Sequence, residues 1–382
     1  MFNRPNERQD LAFHLDQGRS VLMLAPRRIG KTWLIKQVAV DLRAAGWMAI
    51  LCDVEGMSEE TEFLRHLCRA IESQETLRDQ AAGRTRQLLH QIFTKDLGGG
   101  WQAALGNMDW ASFAETLVRG LDAREQRTAI LVDELALFVA ARMRKDEAAA
   151  QKFLYALRAL AQRYPNVRWV FTGSIGLDTI ARRGGIGGAL NHLQVFPLEP
   201  FSLEAARSFL DDLSLSGQLQ RPFALDDAGF AHFVRELGWL SPYYLEHLAQ
   251  QVRASGPAGP DGRGLASLPD VDAAFAAMLA PALRTYFVHW EEHLDKNFPA
   301  GEAASLRLLL DACAGRADGE LIETLLARLG APPVRLSRRA LLDLLSVLVT
   351  DGYLAETAEG DRSRVRFRSG LLRRYWLRYH AA

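Results

Sequence analysis

Three groups of residues in this chain have types and spacing suited to holding and cleaving a phosphate. The first is Ala25-Pro-Arg-Arg-Ile-Gly-Lys-Thr32. A short apolar run, Ser20–Leu24, precedes it, and Trp33-Leu-Ile-Lys-Gln-Val-Ala-Val follows with helical spacing. A loop between a strand and a helix N-terminus turns successive backbone N–H groups toward an anion. Gly30 allows close approach of the backbone, Lys31 has the reach for β- and γ-phosphates, and the Thr32 hydroxyl suits Mg²⁺. Pro26, Arg27, Arg28 and Ile29 complete the loop that would surround the ligand. The pattern departs from G-x-x-x-x-G-K-[ST] at its first glycine, which is Ala25, and a methyl is tolerated there if φ stays negative.

The second group is Asp133-Glu134, at the end of the apolar run Thr128-Ala-Ile-Leu-Val. Asp133 is placed to share the metal with Thr32, and Glu134 to orient a water or take its proton. The third group follows Trp169-Val-Phe, where Thr172-Gly-Ser174 ends another apolar run. If that strand lies between the other two, Thr172 or Ser174 reaches the γ-phosphate or the water; otherwise they cap the next helix. Arg182 and Arg183 end that helix. They serve either as a charge donated across a subunit interface or as ordinary cations at a helix C-terminus.

Positioning these groups requires alternating strands and helices. Continuous apolar runs at Ser20–Leu24, Met48–Val54, Thr128–Val132, Trp169–Thr172 and Leu193–Pro197 predict a parallel sheet buried on both faces. Helical patterns fill the gaps at Lys31–Ala45, Glu60–Arg86, Trp110–Asp122, Glu147–Tyr164 and Ile175–Arg182, with a loop expected at Gly98–Trp101. From Ser202 the pattern is helical, with helices near Asp226–Leu237 and Pro242–Arg253. A Gly/Pro-rich linker is expected at Ala254–Gly264.

Composition narrows the classes. The 382 residues carry 46 basic and 46 acidic side chains, so no whole-protein field draws the chain to nucleic acid or membrane. Three widely spaced cysteines make neither a disulfide framework nor a zinc site, and Cys68 and Cys313 fall in helical core patterns. No apolar run approaches the ~20 residues that span a bilayer. A reduced, cytoplasmic setting and no membrane partner are expected. His289, Glu292 and His293 share a helical face but lack the H-E-x-x-H spacing of a metal site.

The order Phe2-x-Arg4-x-x-Glu7, Pro26–Thr32, Val132-Asp-Glu134, Phe171-Thr-Gly-Ser174, Leu198-Glu-Pro-Phe-Ser and Gly238-Trp-Leu-Ser-Pro-Tyr-Tyr-Leu245 resembles the archaeal-type ATPases of the STAND/AAA+ group. The resemblance covers roughly residues 2–253. It implies a Mg²⁺-dependent ATPase binding ATP and ADP, with Arg4 and Glu7 near the adenine, although a helix cap and salt bridge would use the same two residues. It also implies a helical lid carrying Pro242 and a C-terminal winged helix. The lid motif of relatives reads Gly-Gly-x-Pro, whereas Gly238 is followed here by Trp239-Leu240-Ser241-Pro242. No arginine stands at the lid position that senses γ-phosphate in many AAA+ enzymes, so Pro242 would act through shape.

The expected architecture is therefore an α/β P-loop, AAA+-like core (1–200), a lid (201–253), a linker (254–270), connecting helices (271–300) and a winged helix (301–382). In the last segment, helices at Ala303–Ala314, Gly319–Leu329 and Ser337–Thr350 precede a hairpin around Glu359-Gly-Asp, the element order of a winged helix. From Arg335 onward ten arginines face five carboxylates. Arg335, Arg338 and Arg339 start the third helix, and Arg362, Arg364, Arg366 and Arg368 alternate along the wing. Such a face suits a DNA backbone, or else docks on acidic protein surface. The expected behaviour is a nucleotide-driven switch acting on DNA in a mobile element, replication or phage defence. The alternative is a signalling regulator holding a protein partner, with a homo-oligomer required if Arg182 or Arg183 acts in trans.

Overall fold

Apolar runs with both faces to bury become neighbours in one sheet. In the computed structural model, which describes residues 4–73, 88–93, 100–173, 185, 187–332 and 334–380, β1 (Val21–Leu24), β2 (Met48–Asp53), β3 (Thr128–Asp133), β4 (Val167–Gly173) and β5 (Gln194–Pro197) form a parallel sheet. Its order is β2-β3-β4-β1-β5, so β4 separates the strands that carry the first two motifs. Met23 pairs with Thr172, Leu24 with Gly173, and Asp53 with Asp133. The register thus brings the motif-bearing strand ends out along one edge, the usual ligand side of an open α/β sheet.

The chain divides into two compact units, one of Arg4–Ala25 and Lys31–Leu198, the other of Pro26–Gly30 and Glu199–Ala382. In the first, α1 (Pro5–Asp16) and α2 (Lys31–Ala44) pack against each other and the sheet. The other helices are α3 (Glu60–Glu72), α4 (Gly100–Asn107), α5 (Trp110–Asp122), α6 (Leu135–Lys145) and α7 (Glu147–Arg163). Phe63, Phe113, Phe138 and Phe153 from these helices share one core with Ile130, Val132, Trp169 and Phe171 of the sheet. Aromatic pairs such as Phe63–Phe153, edge-on at 5.5 Å, each contribute about 0.5–1.5 kcal/mol beyond area burial. Cys52, Cys68 and Cys313 are all buried and free.

Local rules mislead at Gly98–Trp101. The loop expected at Gly98–Trp101 falls partly outside the described residues, but Gly100 begins α4 and Trp101 is buried, its indole N–H donating to Glu72. Burial of the indole against α3 outweighs the low helix propensity of glycine at a helix end. The helix expected at Glu60–Arg86 is seen as far as Glu72, and residues 74–87 lie outside the described set, as does the helix expected at Ile175–Arg182.

The second unit contains α8 (Leu203–Leu215), β6 (Phe223–Ala224), α9 (Asp227–Leu237), α10 (Pro242–Ala249), β7 (Gly264–Leu265), α11 (Leu268–Met278) and α12 (Thr285–Asn297). The Gly/Pro-rich stretch at 254–264 is folded: Gly256 N–H donates to Leu265, Gly259 N–H to Arg263, and β7 pairs with β6. Then come α13 (Ala300–Ala314), β8 (Glu320–Leu321), α14 (Ile322–Leu329), α15 (Arg338–Thr350), β9 (Leu354–Glu359), β10 (Arg362–Phe367) and α16 (Gly370–Tyr379). The strands β8-β10-β9 form an antiparallel sheet. Gly319 is required beside it, since a Cβ there would lie 2.2 Å from the Val365 carbonyl. An aromatic stack runs through this unit: Tyr244 on Phe287, and Phe287 on Tyr375 at 4.5 Å. Trp290 donates to Tyr244, and Tyr353 donates to the Trp290 carbonyl. Among the described residues no helix is long and apolar enough to cross a membrane.

His289 and His293 of α12 sit in this aromatic interior. His293 is 3% exposed, with its Nδ1 3.2 Å from the Tyr353 hydroxyl and its Nε2 3.8 Å from Asp351. Both His289 ring nitrogens are shut off from solvent with no hydrogen-bond partner among the described residues. Burial, with Arg28 and Arg27 nearby, pushes the His289 pKa down to about 2; burial, with Arg27, pushes His293 down to about 3. The unfolded chain takes up these protons near pH 6.5 and the folded one does not, so stability is intact above that pH and falls below it. For His289 alone the loss reaches about 2 kcal/mol at pH 5. Urea melts at pH 8, 6.5 and 5 should show it, and His289→Phe should flatten the decline.

Candidate active site

The loop after β1 has the backbone that the motif demands. Gly30 adopts φ +100° with open space where a Cβ would point, so its glycine is set by backbone conformation and by nothing that now crowds it. Arg28 adopts φ +66°, whereas Ala25 is absent from the left-handed region, and the methyl in place of the first glycine is accommodated. Lys31 opens α2 and is 5% exposed, its ammonium donating to the Ala25 carbonyl at 2.8 Å. That bond folds the lysine back along its own loop, at the N-terminal end of α2, where the partial positive charge and free N–H groups favour an anion.

Asp133 is the hub of the remaining chemistry. It ends β3, is 5% exposed, and accepts the Thr32 hydroxyl at 2.5 Å on Oδ2 and the Thr172 hydroxyl on Oδ1. The Thr172 oxygen in turn accepts the Glu134 N–H at 3.2 Å. Glu134 is left-handed, φ 59° and ψ 32°, which costs about 1 kcal/mol or more for a residue with a Cβ. Its N–H, held by Thr172 and by Asp133 Oδ1, fixes that turn and starts α6. Hydroxyl and carboxylate oxygens at this spacing are the hard donors that Mg²⁺ prefers. The strand order meets the condition set by the sequence: Thr172 lies between the other two motifs.

The other expected residues sort clearly. Arg4 is 3% exposed and paired with Glu7 at 2.6 Å, the salt-bridge arrangement, and burial lowers its pKa. Pro26, Arg27, Arg28 and Ile29 lie in the second unit with Pro242. Ser174, Arg182 and Arg183 lie outside the described residues. Arg335, Arg338, Arg339, Arg362 and Arg366 are exposed, with no ion pair among the described residues. Two of the wing arginines are corrected. Arg364 is occupied by Glu359 at 2.6 Å and by the Gly319 carbonyl, and Arg368 is turned inward, donating to the Leu354 and Val349 carbonyls. The alternation of a strand sets a face, but Arg364 is taken up by Glu359 and by the Gly319 carbonyl just before β8, and β10 ends before Arg368.

Sequence reasoning missed Ser241, Tyr243 and Gly352. Ser241, fully buried, donates to the Arg28 carbonyl, and the Arg28 guanidinium lies 4.1 Å from the centre of the Tyr243 ring. Their only signal was adjacency to Pro242, and Gly352 had none.

No family model matches the chain, and no curated protein matches it. Among solved structures it is similar to a Walker-type ATPase of Pyrococcus abyssi, with a TM-score of 0.66 and 14% identity, over 98% of this chain and 95% of that one. It is also similar to the ORC2 protein of Aeropyrum pernix in its ADPNP–ADP complexes, with a TM-score of 0.56 and 14% identity, over 97% and 91%. The likeness shows the fold: an α/β unit built on a five-stranded parallel sheet, followed by a helical C-terminal region.

The bonds of Thr172 set an expectation. Thr172→Val deletes the hydroxyl that Asp133 and Glu134 share, leaving Asp133 Oδ1 without its hydroxyl donor and the Glu134 N–H with Asp133 Oδ1 alone. The folded state should lose about 1–3 kcal/mol in chemical denaturation, and Thr172→Ser should retain most of it.

Proposed function

We propose that this chain is a Mg²⁺-dependent ATPase that works as a slow molecular switch. The observation that carries the reading is the Asp133 carboxylate joined to both Thr32 and Thr172 beside Glu134. The two solved structures of similar fold support it, one being a Walker-type ATPase and the other bound to ADPNP and ADP.

Lys31 leaves the Ala25 carbonyl to meet the β- and γ-phosphates, and the N–H groups of the loop and of the first turn of α2 share their charge. Thr32 and Asp133 hold Mg²⁺, which supplies charge stabilisation for the transferring phosphoryl group. Glu134 orients a water for attack on the γ-phosphorus and takes its proton, as the bond to the ADP oxygen breaks and inorganic phosphate forms. Thr172 keeps Glu134 and Asp133 in register. Arg4 and Glu7 flank the adenine, and Arg182 or Arg183 donates charge across a homo-oligomer.

The exchange of ATP for ADP repositions a C-terminal winged helix made from α13, α14, α15 and the β9–β10 hairpin. Exposed Arg335, Arg338, Arg339, Arg362 and Arg366, without ion pairs among the described residues, suit a DNA backbone. A protein partner is the second reading, favoured by the pairing of Arg364 with Glu359. Three buried free thiols accord with a cytoplasmic setting.

Single-turnover hydrolysis tests the chemistry. Glu134→Gln should slow it by about 10²-fold or more while ADP binding persists, and Lys31→Ala should abolish binding. Unchanged hydrolysis in Glu134→Gln removes the role assigned to that carboxylate. Duplex DNA binding, followed by anisotropy across salt concentrations, tests the partner. Replacing Arg335, Arg338 and Arg339 together by alanine should reduce the log–log salt slope by about 2–3. Binding without salt dependence favours the protein partner.

A further inference from the structure

The segment that carries the phosphate-binding motif, Pro26–Gly30, packs as part of the unit formed by Glu199–Ala382. Three contacts inside that unit account for it. The buried Ser241 hydroxyl donates to the Arg28 carbonyl. The Tyr243 ring receives the Arg28 guanidinium on its face at 4.1 Å. Gly352, between α15 and β9, backs onto Pro26: its φ is +89°, and a Cβ there would lie 2.5 Å from the Pro26 Cβ. Backbone conformation and space therefore both require glycine at 352.

The loop needs such support. Arg28 and Gly30 are both left-handed, and a residue with a Cβ occupies that region unwillingly. Arg28 is held at both ends, its carbonyl by Ser241 and its guanidinium by Tyr243. Beside it, Pro26 has a close wall in Gly352.

We propose that Ser241, Tyr243 and Gly352 are positioning residues for the phosphate-binding loop, through which the C-terminal unit sets nucleotide affinity and reads nucleotide occupancy. The inference rests on the ATP-binding reading above. A loop already held in its binding conformation loses less freedom when phosphate arrives. Linkage makes the effect reciprocal: whatever these residues add to nucleotide affinity, bound nucleotide adds to their grip on the loop. The device works through the Arg28 carbonyl, the Arg28 guanidinium and the Pro26 ring.

The test uses the full chain, with ADP and Mg²⁺ as the probe, titrated by calorimetry into wild type, Ser241→Ala, Gly352→Ala and Gly360→Ala. Gly360 is the control: it is also left-handed, at φ +60°, but has open space around it, so alanine there brings strain without touching Pro26. Ser241→Ala and Gly352→Ala should weaken ADP binding about fivefold or more, with Gly360→Ala unchanged. Ser241→Thr, which keeps the hydroxyl, should restore affinity. Amide exchange over 26–30 in the nucleotide-free chain should quicken in Ser241→Ala and Gly352→Ala and not in the control, which a general loss of stability would not produce. If wild type binds ADP and both variants match it in affinity and exchange, the inference falls and the ATP reading stands. If wild type binds no ADP, both fall.

Discussion

One carboxylate organises the strand ends of the parallel sheet. Asp133 accepts hydroxyl hydrogen bonds from Thr32, at the start of α2, and from Thr172, near the end of β4. Those contacts require three chain segments to end at one level, and the sheet register supplies that level. A slip of one residue along β3 or β4 would exchange the inward and outward side chains and scatter the group. The apolar residues that fill both faces of the sheet hold the register. The packing of the core and the geometry of the site are therefore one constraint seen from two sides.

Glu134 shows how such a site accommodates strain. A left-handed glutamate is unfavourable in isolation, yet here its N–H is bound by Thr172 and by its neighbour Asp133, and α6 begins directly after it. The same device recurs in the loop, where Arg28 is left-handed and tied down by its carbonyl and its guanidinium. In both places a conformation unwelcome to an L-residue persists because its polar groups are satisfied there.

What was legible in the sequence was what is contiguous. The five strands, Lys31–Thr32 and Asp133–Glu134 could be read because a buried strand and the turn that follows it are short, continuous patterns. The helix α6 was not read, since its N-cap is Glu134, left-handed and without a side-chain capping bond, in place of the usual Ser, Thr, Asp or Asn. The glycines before Trp101 pointed to a loop because local propensity has no knowledge of the surface that Trp101 buries. Alternation along the wing placed four arginines on one face, but Arg364 meets Glu359 and the Gly319 carbonyl, and Arg368 lies past the strand and turns inward. The grip of Ser241 on the loop had no trace beyond its place next to Pro242, and that of Gly352 had none. It joins residues that only tertiary packing brings together.

That last grip has a consequence for the order in which the protein is made. Arg28 leaves the ribosome 213 residues ahead of Ser241. At about 5–20 residues per second, roughly 10–40 s pass before its partner exists, and longer still before Gly352 emerges. During that interval the nascent chain can build its sheet and join Thr32, Asp133 and Thr172. The loop after β1 meanwhile remains without the packing of Ser241 and Gly352. Ordering of this loop therefore waits on residues translated 213 positions or more after it.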